Sequence, residues 1–181
     1  MVLTDNRGNI VDWFEIYFNN TKQTNHYMHL SGGSDSALTL YIMAKCLYDK
    51  MKTSDTLNCM YIQNTSKGCD DPGINVPLLL KYVERKFPLV KIKLWKLKAE
   101  TTNKPKGPIL KKIKNIAGGG DSIVINSIQQ GPKFISSFRT KAELVKIGLH
   151  EARPYINVDK RFFAYHYKKL DLMGEYYNLT V

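Results

Sequence analysis

The chain has 181 residues, which is near the usual size of one domain and is enough to bury a continuous core. A hydrophobic fraction of 43% and a charged fraction of 24% exclude the collagen-like, disordered and disulfide-scaffold classes. The formal net charge of +11 predicts a basic surface that attracts polyanions such as nucleotides, pyrophosphate or RNA.

Residues 1–181 are interpreted as a single domain. Because no apolar run of about 18 residues and no signal-peptide pattern occurs, we expect a cytoplasmic protein without membrane contact. The three cysteines, Cys46, Cys59 and Cys69, form no C-x-x-C pair, so we expect them to be buried or idle. The four histidines show no metal-binding spacing.

Strand and helix patterns alternate along the chain. Apolar periodicity predicts helices at residues 10–18, 35–49, 75–87, 109–117, 140–150 and 159–170. Strands are predicted at residues 26–30, 57–63, 90–97 and 123–128. This alternation predicts an α/β fold, in which a mainly parallel sheet lies between helices on both faces as a three-layer αβα sandwich.

Local signals refine this outline. Lysines alternate with apolar residues over 90–97, which is typical of an edge strand with one wet face. Gly118 to Gly120 are expected to end the helix before them, although three glycines could also cradle a phosphate. Thr140 and Glu143 form a capping box for the helix predicted at 140–150.

The strongest chemical signal is the segment Ser31-Gly32-Gly33-Ser34-Asp35-Ser36, between a predicted strand and a predicted helix. The glycines can take positive φ, and a helix N-terminus offers N–H donors and a favourable dipole to an anion. The serines add hydroxyl donors. Asp35 fits this loop if it accepts backbone N–H bonds or holds Mg²⁺ against phosphates.

This segment resembles the Ser-Gly-Gly-x-Asp-Ser signature of the PP-loop (N-type) ATP pyrophosphatase superfamily, and all five fixed letters are present. The resemblance implies an adenine nucleotide alpha hydrolase-like fold. It also implies that a substrate oxygen attacks the α-phosphate of ATP and that pyrophosphate leaves.

By the same resemblance, ATP is held by three groups of residues. The pyrophosphate would lie on Leu30, Ser31, Gly32, Gly33, Ser34, Asp35 and Ser36, the adenine on Met60, Tyr61 and Ile62, and the ribose near Asn126 and Ser127.

Residues 153–170 resemble the Asp-Lys segment of 7-cyano-7-deazaguanine synthases, which belong to queuosine biosynthesis. Asp159 is a plausible N-cap, and Lys160 would face the phosphates and act with Asp35 and Ser36 in catalysis. The synthase family has zinc-binding cysteines near its C-terminus, about where this chain stops at Val181. We therefore expect Zn²⁺ only if a cysteine-bearing tail is missing from this sequence.

An acceptor substrate should lie across from the ATP loop, after the last strand. Gln129, Phe134 and Arg139 are the candidates there, since Phe134 could stack on a ring and Arg139 could bind a carboxylate. Asp70 and Asp71 could bind Mg²⁺ or substrate, or could belong to an ordinary polar loop.

The leading hypothesis is an AMP- and pyrophosphate-forming ligase that uses ATP, Mg²⁺, a small carboxylate and ammonia. One candidate reaction is the conversion of 7-carboxy-7-deazaguanine to 7-cyano-7-deazaguanine. The alternatives are a tRNA-modifying enzyme of the thiolation or lysidine type, favoured by the charge, and a non-catalytic nucleotide-binding regulator. A homodimer is compatible with all three.

Overall fold

The computed structural model describes residues 3–4, 10–52, 54–64, 75–99, 106–118, 123–127, 143–145, 149–152, 154–155 and 158–180. Its strands are β1 (Leu3–Thr4), β2 (Ile10–Val11), β3 (Asn25–His29), β4 (Thr56–Asn64), β5 (Lys91–Ala99), β6 (Ile123–Ile125), β7 (Glu143–Val145) and β8 (Leu149–Ala152). Its helices are α1 (Trp13–Asn20), α2 (Ser34–Asp49), α3 (Val76–Lys86), α4 (Lys106–Ala117) and α5 (Lys160–Lys169), followed by a 3₁₀ turn at Tyr177–Leu179.

Six strands form one sheet in the order β5-β4-β3-β6-β8-β7. All neighbours pair in parallel except β7 and β8, which pair antiparallel. The chain builds outward from β3 through β4 to β5 and then returns to place β6 on the other side of β3. This reversal makes the carboxyl end of β3 the topological switch point, where open α/β sheets bind ligands.

The sheet is covered on both faces, which confirms the predicted three-layer architecture. Along β4, Leu57, Cys59 and Tyr61 are buried in the larger core cluster, with apolar residues of α1, α2, α3 and α5. Met60 faces the opposite side and packs against Ile113 of α4. This alternation follows from the two-residue period of a strand, since both of its faces must be apolar to sit between two layers of helices.

The prediction of an edge strand is confirmed for β5, which occupies one end of the sheet. Its four lysines are exposed, and Leu97 is buried. Gly118 follows α4 with a φ of 76°, the left-handed conformation expected of a glycine that ends a helix.

The helix predicted at residues 140–150 is wrong. Glu143–Val145 and Leu149–Ala152 are strands, and they pair antiparallel with Glu143 opposite Glu151 and Val145 opposite Leu149. A place beside β6 gives this segment sheet hydrogen bonds, and tertiary context of that kind overrides a local helix signal.

The predicted helix at residues 10–18 begins later, at Trp13, because Ile10 and Val11 pair with the β1 strand. Phe14, Tyr17 and Phe18 of α1 are buried.

A buried polar network joins α1 to the sheet. The Tyr17 hydroxyl lies 3.0 Å from Nδ1 of His26, and Nε2 of His26 lies 2.9 Å from Oδ2 of Asp55. All three side chains are buried, and neutral imidazole satisfies both contacts by donating to Asp55 and accepting from Tyr17. Burial lowers the pKa of His26 despite the neighbouring carboxylate, and burial raises the pKa of Tyr17 to about 12.

We predict that the chain loses stability in mild acid. The pKa of His26 is lowered by burial only in the folded state, so protons bind first to the unfolded chain. The free energy of unfolding should therefore be highest above about pH 6.5. It should fall as the pH decreases below that value and through the folded-state pKa of His26.

Urea unfolding between about pH 8 and 5 measures this dependence. The His26→Gln variant should show a smaller loss than the unmodified chain over the same range. An unchanged pH dependence in His26→Gln would contradict the assignment.

Candidate active site

The loop Ser31–Ser36 lies at the carboxyl end of β3, at the switch point of the sheet. Leu30 is buried, and its N–H donates to the carbonyl of Met60 on β4 at 3.0 Å. Gly32 then turns the chain with a φ of 87°, a conformation that glycine adopts without strain. Gly33 is the N-cap residue of α2, so the amino end of a 16-residue helix opens directly onto this edge.

Ser36 closes the loop from inside. Its hydroxyl donates to the carbonyl of Gly33 at 3.0 Å and accepts from the N–H of Ser31 at 3.1 Å. The hydroxyl of Ser31 lies 3.0 Å from the same Ser36 oxygen and accepts from the N–H of Gly33 at 3.3 Å. Because Ser36 is buried, these contacts give it a positioning role, and direct contact with a ligand stays a prediction.

The structure brings the predicted residues Asp35 and Lys160 together across 125 positions of sequence. Nζ of Lys160 lies 3.4 Å from Oδ2 of Asp35, while the hydroxyl of Ser34 donates to Oδ1 of Asp35 at 3.3 Å. The Lys160 side chain is 74% exposed, so the pair contributes little to stability and leaves the ammonium able to meet an anion.

Asp159 fixes the start of α5 and thereby the position of Lys160. Its carboxylate accepts from the N–H of Arg161 at 2.9 Å, which confirms the predicted N-cap. The hydrogen bond from the Arg161 side chain, assisted by the backbone contact, lowers the pKa of Asp159. Both α2 and α5 therefore point their amino ends at the same place, where their dipoles favour an anion.

Buried tyrosines tie α2 to the C-terminal part of the chain. The hydroxyl of Tyr167 donates to the carbonyl of Ser34 at 2.7 Å, and that of Tyr176 donates to the carbonyl of Ala37 at 2.6 Å. Burial raises the pKa of both phenols, which keeps them as donors. The sequence does not predict these hydrogen bonds, because no local pattern marks which distant carbonyl a phenol will meet.

The last turn of α5 is held by the N-terminal part of the chain. Nε2 of the buried His166 lies 2.9 Å from the carbonyl oxygen of Thr4 in β1. The His166 ring also packs against Phe162 with centroids 4.4 Å apart.

The residues predicted near the ribose lie beside the loop helix. The hydroxyl of Ser127 is 2.7 Å from that of Thr39, and Thr39 in turn donates to the carbonyl of Asp35 at 2.8 Å. The N–H of Asn126 donates to the carbonyl of Ala152 at 2.9 Å. The end of β6 thus borders the first turns of α2.

The residues predicted near the adenine face different sides of β4. Met60 is buried on the α4 side, Tyr61 is buried on the α2 side, and Ile62 is half-buried. The Tyr61 hydroxyl has no hydrogen-bond partner in the structure. The residues predicted to contact substrate or Mg²⁺ elsewhere lie outside the described residues: Gln129, Phe134, Arg139, Asp70 and Asp71.

Within the described ranges, no group of three or more His, Cys, Asp and Glu residues could hold a metal ion. Cys46 and Cys59 are buried, and burial raises the pKa of Cys46 to about 11, so its thiol stays protonated near neutral pH. Cys69 lies outside the described residues. None of the described helices is both long and apolar enough to cross a bilayer.

Comparisons with solved structures identify the fold. The chain is similar to an NH3-dependent NAD synthetase from Campylobacter jejuni, with a TM-score of 0.53 and 13% identity over 93% of this chain and 73% of that one. It is also similar to the U34-tRNA thiolase NcsA from Methanococcus maripaludis, which carries a [4Fe-4S] cluster. That match has a TM-score of 0.54 and 13% identity, and covers 92% of this chain and 67% of the thiolase.

Both neighbours are members of the PP-loop superfamily, and the chain has the adenine nucleotide alpha hydrolase-like fold. Comparison with known protein families and with curated proteins gives no match. Since identities of 13% show the fold alone, the chemistry must be argued from the site itself.

We predict that the Tyr167 hydroxyl stabilises the start of α2. The Tyr167→Phe variant should lose about 1 kcal/mol of unfolding free energy, because it removes one buried hydrogen bond at almost constant volume. Tyr177→Phe is the matched control. Because the Tyr177 side chain is 41% exposed, the change in unfolding free energy of this variant should be near zero. Urea unfolding measures both variants, and equal losses would contradict the proposed tether.

Proposed function

We propose that this chain is an ATP pyrophosphatase-type ligase, which binds the pyrophosphate part of ATP on the loop Ser31–Ser36 and releases AMP and pyrophosphate. The observation that carries the proposal is the convergence of this loop and Lys160 at one edge of the sheet. The loop has the letters of the PP-loop signature, and its place at the switch point is where an α/β sheet binds a nucleotide.

Each group has a role that follows from its contacts. The glycine turn and the amino end of α2 present backbone donors to phosphate oxygens, and Ser36 holds the turn in shape. Because its side chain is 74% exposed, Lys160 can leave Asp35 and bind a phosphate instead. There its ammonium would neutralise the charge that builds on the leaving pyrophosphate. The hydroxyls of Thr39 and Ser127 lie beside the site, where they form a hydrogen bond with each other.

Asp35 fits Mg²⁺ as a single carboxylate ligand beside the phosphates. Its side chain is 21% exposed at the loop, and Mg²⁺ commonly binds through one or two carboxylates together with substrate phosphates and water. A bound Mg²⁺ would withdraw charge from the phosphates during displacement. The protein groups would then orient the triphosphate and keep its α-phosphorus open to the attacking substrate.

The chemistry best suited to this site is adenylation of a small carboxylate or carbonyl compound. A substrate oxygen forms a bond to the α-phosphorus, the bond between the α-phosphorus and its bridging oxygen breaks, and pyrophosphate leaves. Ammonia then attacks the activated carbon, and AMP departs with the substrate oxygen. One such round gives an amide. The specific reaction proposed, 7-carboxy-7-deazaguanine to 7-cyano-7-deazaguanine, therefore needs a second round, in which a second ATP adenylates the amide oxygen and AMP departs with that oxygen to leave the nitrile. Its support is the resemblance of residues 153–170.

A second candidate is modification of tRNA by the same adenylating chemistry. The observation in its favour is the net charge of +11, since tRNA binding depends on contacts to phosphates. The absence of any C-x-x-C pair counts against a thiolation mechanism that needs catalytic cysteines. The small-carboxylate reaction therefore remains our first choice.

The decisive experiment measures AMP and pyrophosphate from ATP and Mg²⁺, with ammonia and a panel of carboxylates that includes 7-carboxy-7-deazaguanine, or with tRNA. We expect AMP to appear with pyrophosphate only when an acceptor is present. Release with tRNA alone would select the second candidate. Nucleotide binding without turnover on any acceptor would indicate a regulator.

We predict that Asp35→Asn and Ser36→Ala lower pyrophosphate release at least about 100-fold, because each removes a preorganised polar group of the loop. Cooperative urea unfolding should be retained in both variants. Asp49→Asn is the matched control on the same helix, since its carboxylate lies at the far end and is 42% exposed. Near-normal turnover in both loop variants would refute the loop assignment.

Lys160→Gln tests the electrostatic role of Lys160 separately. We expect kcat to fall about 100-fold or more and the urea midpoint to stay unchanged, because the exposed ion pair with Asp35 contributes little to folding. Lys169→Gln removes an exposed charge from the same helix and should leave kcat unaltered. A loss of stability with normal kcat would instead assign Lys160 to the fold.

A further inference from the structure

The positive charge of this chain is concentrated in one segment. Residues 91–117, which run from the start of β5 to the end of α4, contain nine lysines and one acidic residue, Glu100. The other 154 residues contain eighteen basic and fifteen acidic residues, so they are close to neutral. The net charge of +11 is therefore mainly a property of β5, α4 and their connection.

The two elements are neighbours in the fold. β5 is an edge of the sheet, and Leu97 of β5 packs with Ile113 of α4 in the smaller core cluster. Seven lysines of these elements are exposed. Lys96 and Lys98 point to the side of the sheet away from α4, because Trp95 and Leu97 face α4 and successive side chains of a strand alternate. The other five lie on the α4 side and define the lysine face: Lys91, Lys93, Lys111, Lys112 and Lys114.

No ion pair neutralises the lysine face within the described part of the chain. Two lysines elsewhere do have carboxylate partners, since Lys45 contacts Asp49 and Lys50 contacts Glu15, each at 2.9 Å. Among the described residues of the lysine face, the ammonium of Lys93 lies 3.9 Å from the centroid of the Trp95 indole. An edge strand needs few charges to resist aggregation, and that need does not explain three exposed lysines on the helix beside it.

We propose that the lysine face binds the phosphate backbone of a nucleic acid. Lysine is a compact point charge that contacts phosphates without reading bases, and residues 91–117 contain no arginine that could do so bidentately. The partner is therefore bound mainly by charge and with little sequence preference.

A membrane surface fits this face less well. The apolar side of α4 is already used, since Ile113 and Ala117 are buried against the sheet. Among the side chains that the structure describes, the exposed large apolar residues all lie outside residues 91–117, and an apolar anchor of that kind is what a lipid interface requires.

Two other lysines of β5 lie toward the edge that carries the loop. Met60 of β4 stands in register with His29 of β3 and with Trp95 of β5. Lys96 and Lys98 therefore lie beyond the level at which β3 ends, about two strand spacings, or roughly 10 Å, to the side. A bound nucleic-acid strand could approach the site whether or not the proposed nucleotide is present. This inference is therefore independent of the proposed ligase reaction.

The test is a binding titration without ATP. Fluorescence anisotropy of labelled RNA and DNA strands of about 20 nucleotides would be measured between about 50 and 300 mM KCl. The variant Lys91→Gln with Lys111→Gln and Lys114→Gln removes three charges of the face and spares Lys93. The matched control removes three exposed lysines elsewhere, as Lys22→Gln with Lys168→Gln and Lys169→Gln.

We expect the face variant to bind at least about tenfold more weakly near 100 mM KCl, and its salt slope to be shallower by about 2, from roughly 0.7 per lost contact. The control should keep most of its affinity and slope, although both variants have the same net charge. The proposal is supported if the face variant, but not the control, binds either RNA or DNA more weakly. Equal losses in both variants, binding to neither nucleic acid, or binding only to phosphatidylserine vesicles overturns it.

Small-molecule turnover by the face variant separates this inference from the proposed function. The three substituted lysines touch no residue of the loop, so AMP formation from a small carboxylate should be retained. If the loop variants lose turnover but bind nucleic acid normally, the lysine face is a site separate from the loop.

Discussion

The carboxyl end of β3 is the point on which the rest of the site depends. β3 pairs in parallel with β4 on one side and β6 on the other, so the chain leaving it enters a crevice with strands on both sides. The turn through Gly32 and the start of α2 then follow from the need to bring a helix back over the sheet. Buried hydroxyls complete the arrangement, because Ser36 bonds within the loop while Tyr167 and Tyr176 bond to carbonyls of the first turns. Each such bond stabilises by about 1 kcal/mol, but a buried hydroxyl left without a partner costs more, so the set favours one geometry.

The features recoverable from the sequence are those with local causes. Alternating strand and helix periods predicted the βαβ order, the edge position of β5 and the three layers. The loop was recognised because glycines, serines and a strand-to-helix transition coincide within six residues. A family resemblance and an N-cap signal predict that Lys160 faces the phosphates. That role stays a prediction, and the structure gives the contact of Lys160 with Asp35.

The misses have non-local causes. The segment at residues 143–152 carries helix-forming letters and a capping pattern, yet sheet pairing beside β6 decides its structure. Tertiary partners also decide the roles of Tyr167, Tyr176 and Thr39, whose acceptors lie far away in sequence or depend on the turn that the loop adopts. For Ser36, contact with a ligand stays a prediction, while its hydrogen bonds within the loop depend on the turn that the loop adopts.

The contact between His166 and Thr4 has a practical consequence for how the protein is handled. The first strand is only two residues long, yet its backbone carbonyl is the acceptor for an imidazole buried in the helix that begins with Lys160. Trimming the amino terminus through this strand would leave that imidazole without its acceptor and would loosen the helix. A shortened or re-engineered N-terminus would therefore disturb, from a distance, the helix that places Lys160 beside Asp35.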